Sequence, residues 1–310
     1  MTSRGYHTPV LLHDCIDGLA IDPNGTYVDV TFGGGGHSRQ ILEHLDGGHL
    51  YAFDQDLDAS QNVPDDSRFT FVRQNFRFMQ NHLRLNKVKQ VDGILADLGV
   101  SSHQFDEAQR GFSTRMDADL DMRMDRDISL RADTVLNTYS EEDLYRIFNE
   151  GADLKRTRGL VEVIQETRPH KTTAGLREKI ERLAPHKKKA QFMAQVFQAV
   201  RIEVNDELVA LKELLLQSVQ VLKPGGRLVV MSYHSIEDRL VKNFIRTGKF
   251  SGEVEKDFFG NPIKPLNAIN RKVIMPSEQE IETNNRARSA RLRIAERLNE
   301  QEEKNTKATL

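Results

Sequence analysis

Between Thr26 and Ser38 the chain reads Thr-Tyr-Val-Asp-Val-Thr-Phe-Gly-Gly-Gly-Gly-His-Ser, and this run constrains its neighbours more than any other. Tyr27, Val28, Val30 and Phe32 are the β-branched and aromatic residues of a short buried parallel strand, expected over 26–32. Four glycines stop it. Across Gly33 to Gly36 no side chain separates the backbone from a ligand, so the turn can be tight and its N–H groups can approach a bound molecule. His37 and Ser38 then open a segment in which Ile41, Leu42 and Leu45 share a helical face, so a helix N-terminus points back at the glycines. Strand, turn and helix together make a nucleotide-type pocket.

Such a pocket needs an acid about 20 positions on, at the tip of the next strand, to accept hydrogen bonds from ribose hydroxyls. Asp54 ends the strand-like run His-Leu-Tyr-Ala-Phe-Asp, and Asp56 and Asp58 follow. The dinucleotide fingerprint G-x-G-x-x-G is incomplete, however, because Ser38 stands where its third glycine belongs.

With 310 residues the chain can form one large domain with an insertion, or two domains. A net charge of −2 excludes wholesale polyanion binding, so any nucleic-acid surface has to be a local patch. Cys15 is the single cysteine, which excludes an intramolecular disulfide and a cysteine-rich metal site and fits a reducing cytosol. There is no apolar run of the ~20 residues that span a bilayer, and no signal-peptide pattern. A soluble cytoplasmic protein without membrane association is expected.

From 26 to 99 strands alternate with helices: strand 26–32, helix 37–45, strands 49–54 and 69–74, a helix near 77–85 and strand 91–97. A short helix around Asp14 to Leu19 precedes them. The spacing predicts a mostly parallel, doubly wound sheet with ligands at the carboxyl ends of its strands. Residues 105–190 hold no strand but several amphipathic helices, one capped by Ser140 with Asp143 and ended by Gly151, another capped by Thr172 or Thr173. Phe192, Val196, Val200, Val204, Leu208, Leu211, Leu215, Val219 and Leu222 then repeat at threes and fours, a long helix broken at most once that returns to the sheet. Lys223–Gly226 reads as a turn, 227–233 as a fifth strand, 236–246 as a helix, and 272–275 with 290–295 as an antiparallel closing pair. The domains expected are a first sheet part over 1–104, a helical insertion over 105–190, a second sheet part over 191–298 and a disordered polar tail over 299–310.

Several chemistries fail on spacing. Asp117-x-Asp119-x-Asp121 begins like a calcium loop, but Met122 and Ile128 stand where the turn glycine and the bidentate glutamate belong. Gly99-Val100-Ser101-Ser102-His103 begins like a nucleophile elbow and ends in His instead of Gly. There is no phosphate-binding G-x-x-x-x-G-K-[ST] and no H-E-x-x-H, and no metal is expected. Asp29, Asp54 and Asp97 lie near the pocket, and Asp97 pointing into it would repel a pyrophosphate and attract an ammonium or sulfonium, which favours S-adenosylmethionine over NAD. Local basic clusters at Lys187–Lys189, at Lys155, Arg156 and Arg158, and at Arg286, Arg288, Arg291, Arg293 and Arg297 suit an RNA footprint without requiring one.

Nine runs together give the chain a family likeness over nearly its whole length. They are His7–Leu12, Thr31–Ser38, Asp92–Ser102, Arg110–Ser113, Leu120–Asp125, Phe197–Leu208, Pro224–Leu228, Ser235–Arg239 and Arg286–Ser289. The chain resembles the bacterial ribosomal RNA small subunit methyltransferase H family, which methylates the exocyclic N4 of a 16S rRNA cytidine with S-adenosylmethionine. The resemblance implies a Rossmann-like class I methyltransferase fold with the insertion as an RNA-recognition subdomain. It further implies that Gly35, Gly36 and His37 cradle the methionine part of the cofactor and that Asp54 holds the ribose. Phe76 would face the adenine, and Asp97 and Gln104 would line the remaining edge. The partner implied is 16S rRNA in the small subunit or an assembly intermediate, with a homodimer left open. The chain departs from the family pattern at Asp119 and Asn285, where proline is usual, and at Gln191–Gln195, which lacks a His-Pro-Ala element.

For the target base, Asp97-Leu98-Gly99-Val100 lacks the Asp/Asn-Pro-Pro-aromatic run common in amino methyltransferases. Ser101, Ser102 and His103 with Tyr233 and His234 are expected to line its pocket, with His234 as general base. Two alternatives stand beside this reading: a nicotinamide-dependent dehydrogenase, and a non-catalytic RNA-binding assembly factor with a vestigial cofactor pocket.

Overall fold

A computed structural model describes residues 9–154 and 157–299. His7 and Thr8 of the first family run, Lys155 and Arg156 of the second basic cluster, and tail residues 300–310 lie outside that set. The fold divides into two compact units, one running up to Gly99 and resuming at Val209, the other Val100–Leu208.

The first unit is a seven-stranded sheet in the order β3-β2-β1-β4-β5-β7-β6. Its strands are β1 (Thr26–Asp29), β2 (His49–Asp54), β3 (Phe69–Arg73), β4 (Val91–Asp97), β5 (Leu222–Ser232), β6 (Leu266–Ala268) and β7 (Arg291–Arg297). The first five are parallel, while β7 runs antiparallel to β5 and β6 antiparallel to β7. β1 and β4 are adjacent, and from them the chain winds outward in opposite directions, so the crevice beyond their carboxyl ends is a topological switch point.

Both faces of the sheet are covered, which is why β2 and β4 read as near-continuous apolar runs. In chain order the helices are α1 (Leu12–Leu19), α2 (Gly36–His44) and α3 (Met79–Leu85), then α4 (Ser102–Asp106), α5 (Ala132–Thr138), α6 (Glu141–Glu150), α7 (Thr157–Glu166), α8 (Thr173–Ile180) and α9 (Lys189–Asn205) in the second unit. The chain returns through α10 (Glu207–Val221), α11 (Ser235–Thr247) and α12 (Glu278–Thr283). Cys15, Ile16 and Leu19 of α1 and Ile41 and Leu42 of α2 pack with Tyr27, Leu50, Leu95 and Val229 on one face. Met79 and Leu83 of α3, Leu211, Leu214 and Leu215 of α10 and Val241, Phe244 and Ile245 of α11 pack with Val28, Phe53, Ile94 and Val230 on the other.

The second unit is helical, with its own core of Leu136, Leu144, Phe148, Val161, Ile164, Leu176, Val196 and Val200 among others. Ser140 caps α6 by accepting the Asp143 N–H at 3.1 Å, and Thr172 caps α8 by accepting that of Gly175 at 3.1 Å. Buried Asn205 donates to the Met122 and Arg201 carbonyls and accepts from the Met124 N–H, so every polar atom of its amide is used. The Asp121 carboxylate is taken by the Arg123 guanidinium at 2.8 and 2.9 Å, which gives the calcium-like run a structural role. Among the described residues no group of His, Cys, Asp or Glu is placed to hold a metal ion, and no helix is long and apolar enough to cross a membrane.

Several expectations need correction. The insertion spans 100–208 instead of 105–190, because the apolar face of α9 from Phe192 to Val204 is buried in the insertion core. The long periodic segment therefore splits at Asp206, whose φ of 51° ends α9, and only α10 returns to the sheet. β1 stops at Asp29, whose carboxylate turns back to accept the Thr31 N–H. The helix near 77–85 begins with a 3-10 turn at Phe76–Phe78. Lys223–Gly226 falls inside β5, but its pairing with β4 jumps from Val91↔Leu222 to Gly93↔Arg227, so the segment is an excursion from the ladder. The partner of β7 is β6, a three-residue strand too short to show alternation, and 272–275 contributes one bridge, Ile274↔Leu292.

Phe148 is fully buried in the insertion core. Phe148→Ala is expected to lower the free energy of unfolding by about 3–5 kcal/mol, read from urea denaturation followed by circular dichroism.

Candidate active site

The glycine turn follows β1 after Val30, Thr31 and Phe32 and is held so that its carbonyls are occupied. The Gly33 carbonyl accepts from Asn62 Nδ2 at 3.1 Å and that of Gly34 from Arg39 Nη1 at 2.8 Å, while the Gly33 N–H donates to Asp54 Oδ2 at 2.7 Å. Two positions require glycine. Gly35 has a φ of 74° and a Cβ there would lie 2.8 Å from the Phe32 ring; a Cβ on Gly36 would overlap the Pro9 ring. Bare backbone thus lets Phe32 and Pro9 pack directly against the start of α2.

Beneath the turn lies Asp29, which is 1% exposed. It accepts from the Ser38 hydroxyl at 2.6 Å and the Thr31 N–H at 3.0 Å. Burial raises its pKa despite these donors and the nearby His37. The departure from the dinucleotide fingerprint now has a cause: Ser38 supplies the donor that a buried carboxylate demands, and glycine could not. The Thr31 hydroxyl, which sequence reasoning missed, accepts the Asp97 N–H at 2.6 Å and donates to Asp29 Oδ1 at 3.4 Å, tying the ends of β1 and β4 together. Arg39 and Asn62 were missed as well, since a residue that ties off a carbonyl carries no motif.

Asp54 closes β2. Besides the Gly33 N–H it accepts that of Asp56 at 2.8 Å, one oxygen to each, and each oxygen keeps acceptor capacity. Burial lifts its carboxyl to about 6 against those two hydrogen bonds. At the carboxyl end of β4, Asp97 accepts from the Tyr233 hydroxyl at 2.9 Å, and its other oxygen lies 3.7 Å from His37 Nδ1. Burial lifts it to about 6 as well, with Asp29 and Glu237 adding to the rise and His37 and Tyr233 opposing it. The same burial, with Asp97 alongside, holds the Tyr233 hydroxyl protonated well past its usual range. His37 is buried in the first turn of α2, its Nε2 3.1 Å from the Val10 carbonyl. Half-buried Phe76 follows β3, with Asn75 joining that corner to Gln55 beyond β2 at 2.8 Å.

His234 occupies the N-cap of α11, where its Nδ1 accepts the Glu237 N–H at 3.4 Å and its Nε2 lies 3.0 Å from Glu237 Oε1. Gly35, Gly36, His37, Asp54, Phe76, Asp97, Tyr233 and His234 therefore all belong to the sheet unit, on the carboxyl ends of its strands. Ser101, Ser102, His103 and Gln104 belong to the other unit, at the start of α4. There Ser101 and Gln104 form a capping box, the Gln104 N–H donating to Ser101 Oγ at 3.2 Å and the Ser101 N–H to Gln104 Oε1 at 3.1 Å, and His103 is exposed.

A model of the MraW methylase family matches residues 4–298. The chain belongs to that family. It is similar to ribosomal RNA small subunit methyltransferase H of Flavobacterium johnsoniae, 55% identical over 301 residues that make up 96% of this chain and 99% of the relative. The same-named protein of Parabacteroides distasonis is 53% identical over 298 residues, 94% and 98% of the two chains. Among solved structures, an rRNA methylase from Streptococcus thermophilus covers 95% of this chain and 100% of its own at 13% identity, with a TM-score of 0.43. Membership in the MraW methylase family makes the chain a methyltransferase and sets aside the dehydrogenase alternative. Its sheet is the Rossmann-like class I methyltransferase sheet, with β7 antiparallel between β5 and β6.

The raised Asp97 has a measurable cost. Its folded pKa of about 6 lies above the unfolded value, so the native state binds the extra proton between the two and loses stability as pH rises through that window. Asp97→Asn is expected to be more stable than the parent at pH 7 by about 2 kcal/mol, with the difference shrinking toward pH 4 in urea titrations.

Proposed function

We propose that this methyltransferase transfers a methyl group from S-adenosylmethionine to the exocyclic N4 of a cytidine in 16S rRNA, in the cytoplasm, on the small subunit or an assembly intermediate. The observation that carries this is the glycine turn at the switch point, with its carbonyls tied back and acids at the neighbouring strand tips. The residues present fit the cofactor, since Gly35 and Gly36 let Phe32 and Pro9 pack tightly against the turn where a Cβ would force them apart, and the acids suit a cationic ligand instead of a pyrophosphate. Gly35, Gly36 and His37 would hold its methionine part, Asp54 the ribose, Phe76 the adenine side, and Asp97 the remaining edge. When bound, S-adenosylmethionine supplies an electrophilic methyl on a sulfonium.

Hydrogen bonds from two ribose hydroxyls would complete the acceptor shell of Asp54 and favour its ionised form. Ser101, Ser102 and His103 are proposed to act in RNA recognition by the insertion, and Tyr233 to hold the target base on the sheet unit. The cytosine amino nitrogen must give up a proton as it acquires the methyl. His234 was the expected acceptor, but its Nδ1 lone pair already serves the α11 cap and its Nε2 faces Glu237. Asp97 suits the task better: its carboxylate is ionised at neutral pH, and a value near 6 makes it more basic than an ordinary aspartate.

Incubation with unmodified small subunits and methyl-labelled cofactor is expected to place label in 16S rRNA, recovered as N4-methylcytidine by nucleoside mass spectrometry. RNA binding without transfer would favour the non-catalytic assembly factor. In single turnovers Asp97→Asn should lose about a hundredfold or more in rate while His234→Ala stays within about tenfold. The opposite order would return the base assignment to His234. With the parent, the rate should fall below about pH 6 as Asp97 takes up its proton.

A further inference from the structure

The five C-terminal arginines look alike in sequence, but the structure gives them different work. Arg293 donates from Nε and Nη2 to the two oxygens of Asp238 at 2.7 and 3.1 Å, fastening α11 to the sheet. Arg297 donates to the Val219 and Pro265 carbonyls at 2.9 and 3.1 Å. Both are structural. Arg288 and Arg291 are not fastened in this way, and Arg286 shares their stretch of chain.

Their position follows from strand register. β7 is antiparallel to β5, pairing Arg227 with Glu296 and Ser232 with Arg291. Arg291 is thus level with the carboxyl end of β5, one residue before Tyr233. The 3-10 turn Asn285–Ser289 leads straight into it. Ala287 and Ala290 are fully buried in the core that also holds Val10, Leu11 and Cys15, which anchors the turn and leaves Arg286 and Arg288 exposed on its outer side. The Arg288 side chain makes no hydrogen bond or ion pair with any described residue. Arg291 stands 3.6 Å from Asp238, a carboxylate that Arg293 already holds through two hydrogen bonds, so one negative charge serves two guanidiniums. Nearby Glu280 receives the Leu11 N–H at 2.7 Å. The exposed acids Glu278 and Glu282 of α12 restrict the positive rim to a few phosphates, in keeping with a net charge of −2.

We infer that Arg286, Arg288 and Arg291 form a phosphate-gripping rim that holds the RNA strand on either side of the target nucleotide. The inference rests on the proposed function and adds where the substrate backbone lies. A guanidinium fork matches phosphate oxygens, and anchoring flanking phosphates fixes the strand while its base is turned into the site. This also explains the alternation in Arg286-Ala287-Arg288-Ser289-Ala290-Arg291, in which the alanines serve the core and the arginines serve the ligand.

The test compares the parent, Arg288→Gln, Arg286→Gln with Arg288→Gln, and Arg288→Lys, using unmodified small subunits over a series of KCl concentrations. Filter binding of subunits, steady-state methyl transfer and calorimetric titration of S-adenosylmethionine are read on each protein. Each Gln substitution is expected to reduce the slope of log affinity against log salt by about 0.7–0.9, and Arg288→Lys to restore it. The double variant should raise KM for subunits about tenfold or more at low salt, with cofactor affinity unchanged. Variants whose slopes and KM match those of a parent that methylates would overturn the rim and leave the function standing. A parent that binds subunits without transferring methyl would overturn the function, while filter binding would still report on the rim.

Discussion

The Gly33 N–H donated to Asp54 is the contact on which the site depends, because it joins the turn after β1 to the acid that ends β2. A glycine turn without such an anchor would spend its conformational freedom on many shapes. Here its carbonyls are bound by Arg39 and Asn62, its helix is seated on buried Asp29 through Ser38, and the end of β4 is drawn in by Thr31. The corner is therefore held by the protein's own hydrogen bonds, and preorganisation of that kind reduces the ordering cost of binding.

That organisation places three carboxylates, Asp29, Asp54 and Asp97, in surroundings that raise their proton affinity. A sheet built only for stability would put apolar residues there, as it does at Val28, Phe53 and Ile94. The acids are tolerated because each is supplied with donors, and their residual destabilisation favours a ligand that brings positive charge or hydroxyl donors. Asp97 lies between opposing influences, with His37 and Tyr233 favouring its charge and Asp29 and Glu237 opposing it.

Most of the sheet was legible in sequence because parallel strands covered on both faces must be apolar and must end in the polar residues that serve a ligand. His49–Asp54 and Val91–Asp97 appear with the bounds expected. Less was legible where structure depends on partners distant in sequence. β6 is three residues long and exists because β7 offers it an edge. The periodicity from Phe192 to Leu222 is continuous, and only tertiary packing assigns its first half to the insertion and its second to the sheet. Within the site, glycines and strand-tip acids were readable from type and spacing, whereas Thr31, Arg39 and Asn62 act through backbone atoms and leave no pattern. Gln104, carried over from family likeness, also proves to complete a capping box with Ser101.

Calorimetric titration of S-adenosylmethionine into the parent and an Asp54→Ala variant tests the central claim most directly. The parent should bind it in preference to NADH, and the variant should lose about tenfold or more in affinity, as expected when hydrogen bonds to a charged group are removed. Undiminished binding by the variant, or a parent that prefers NADH, would contradict the account.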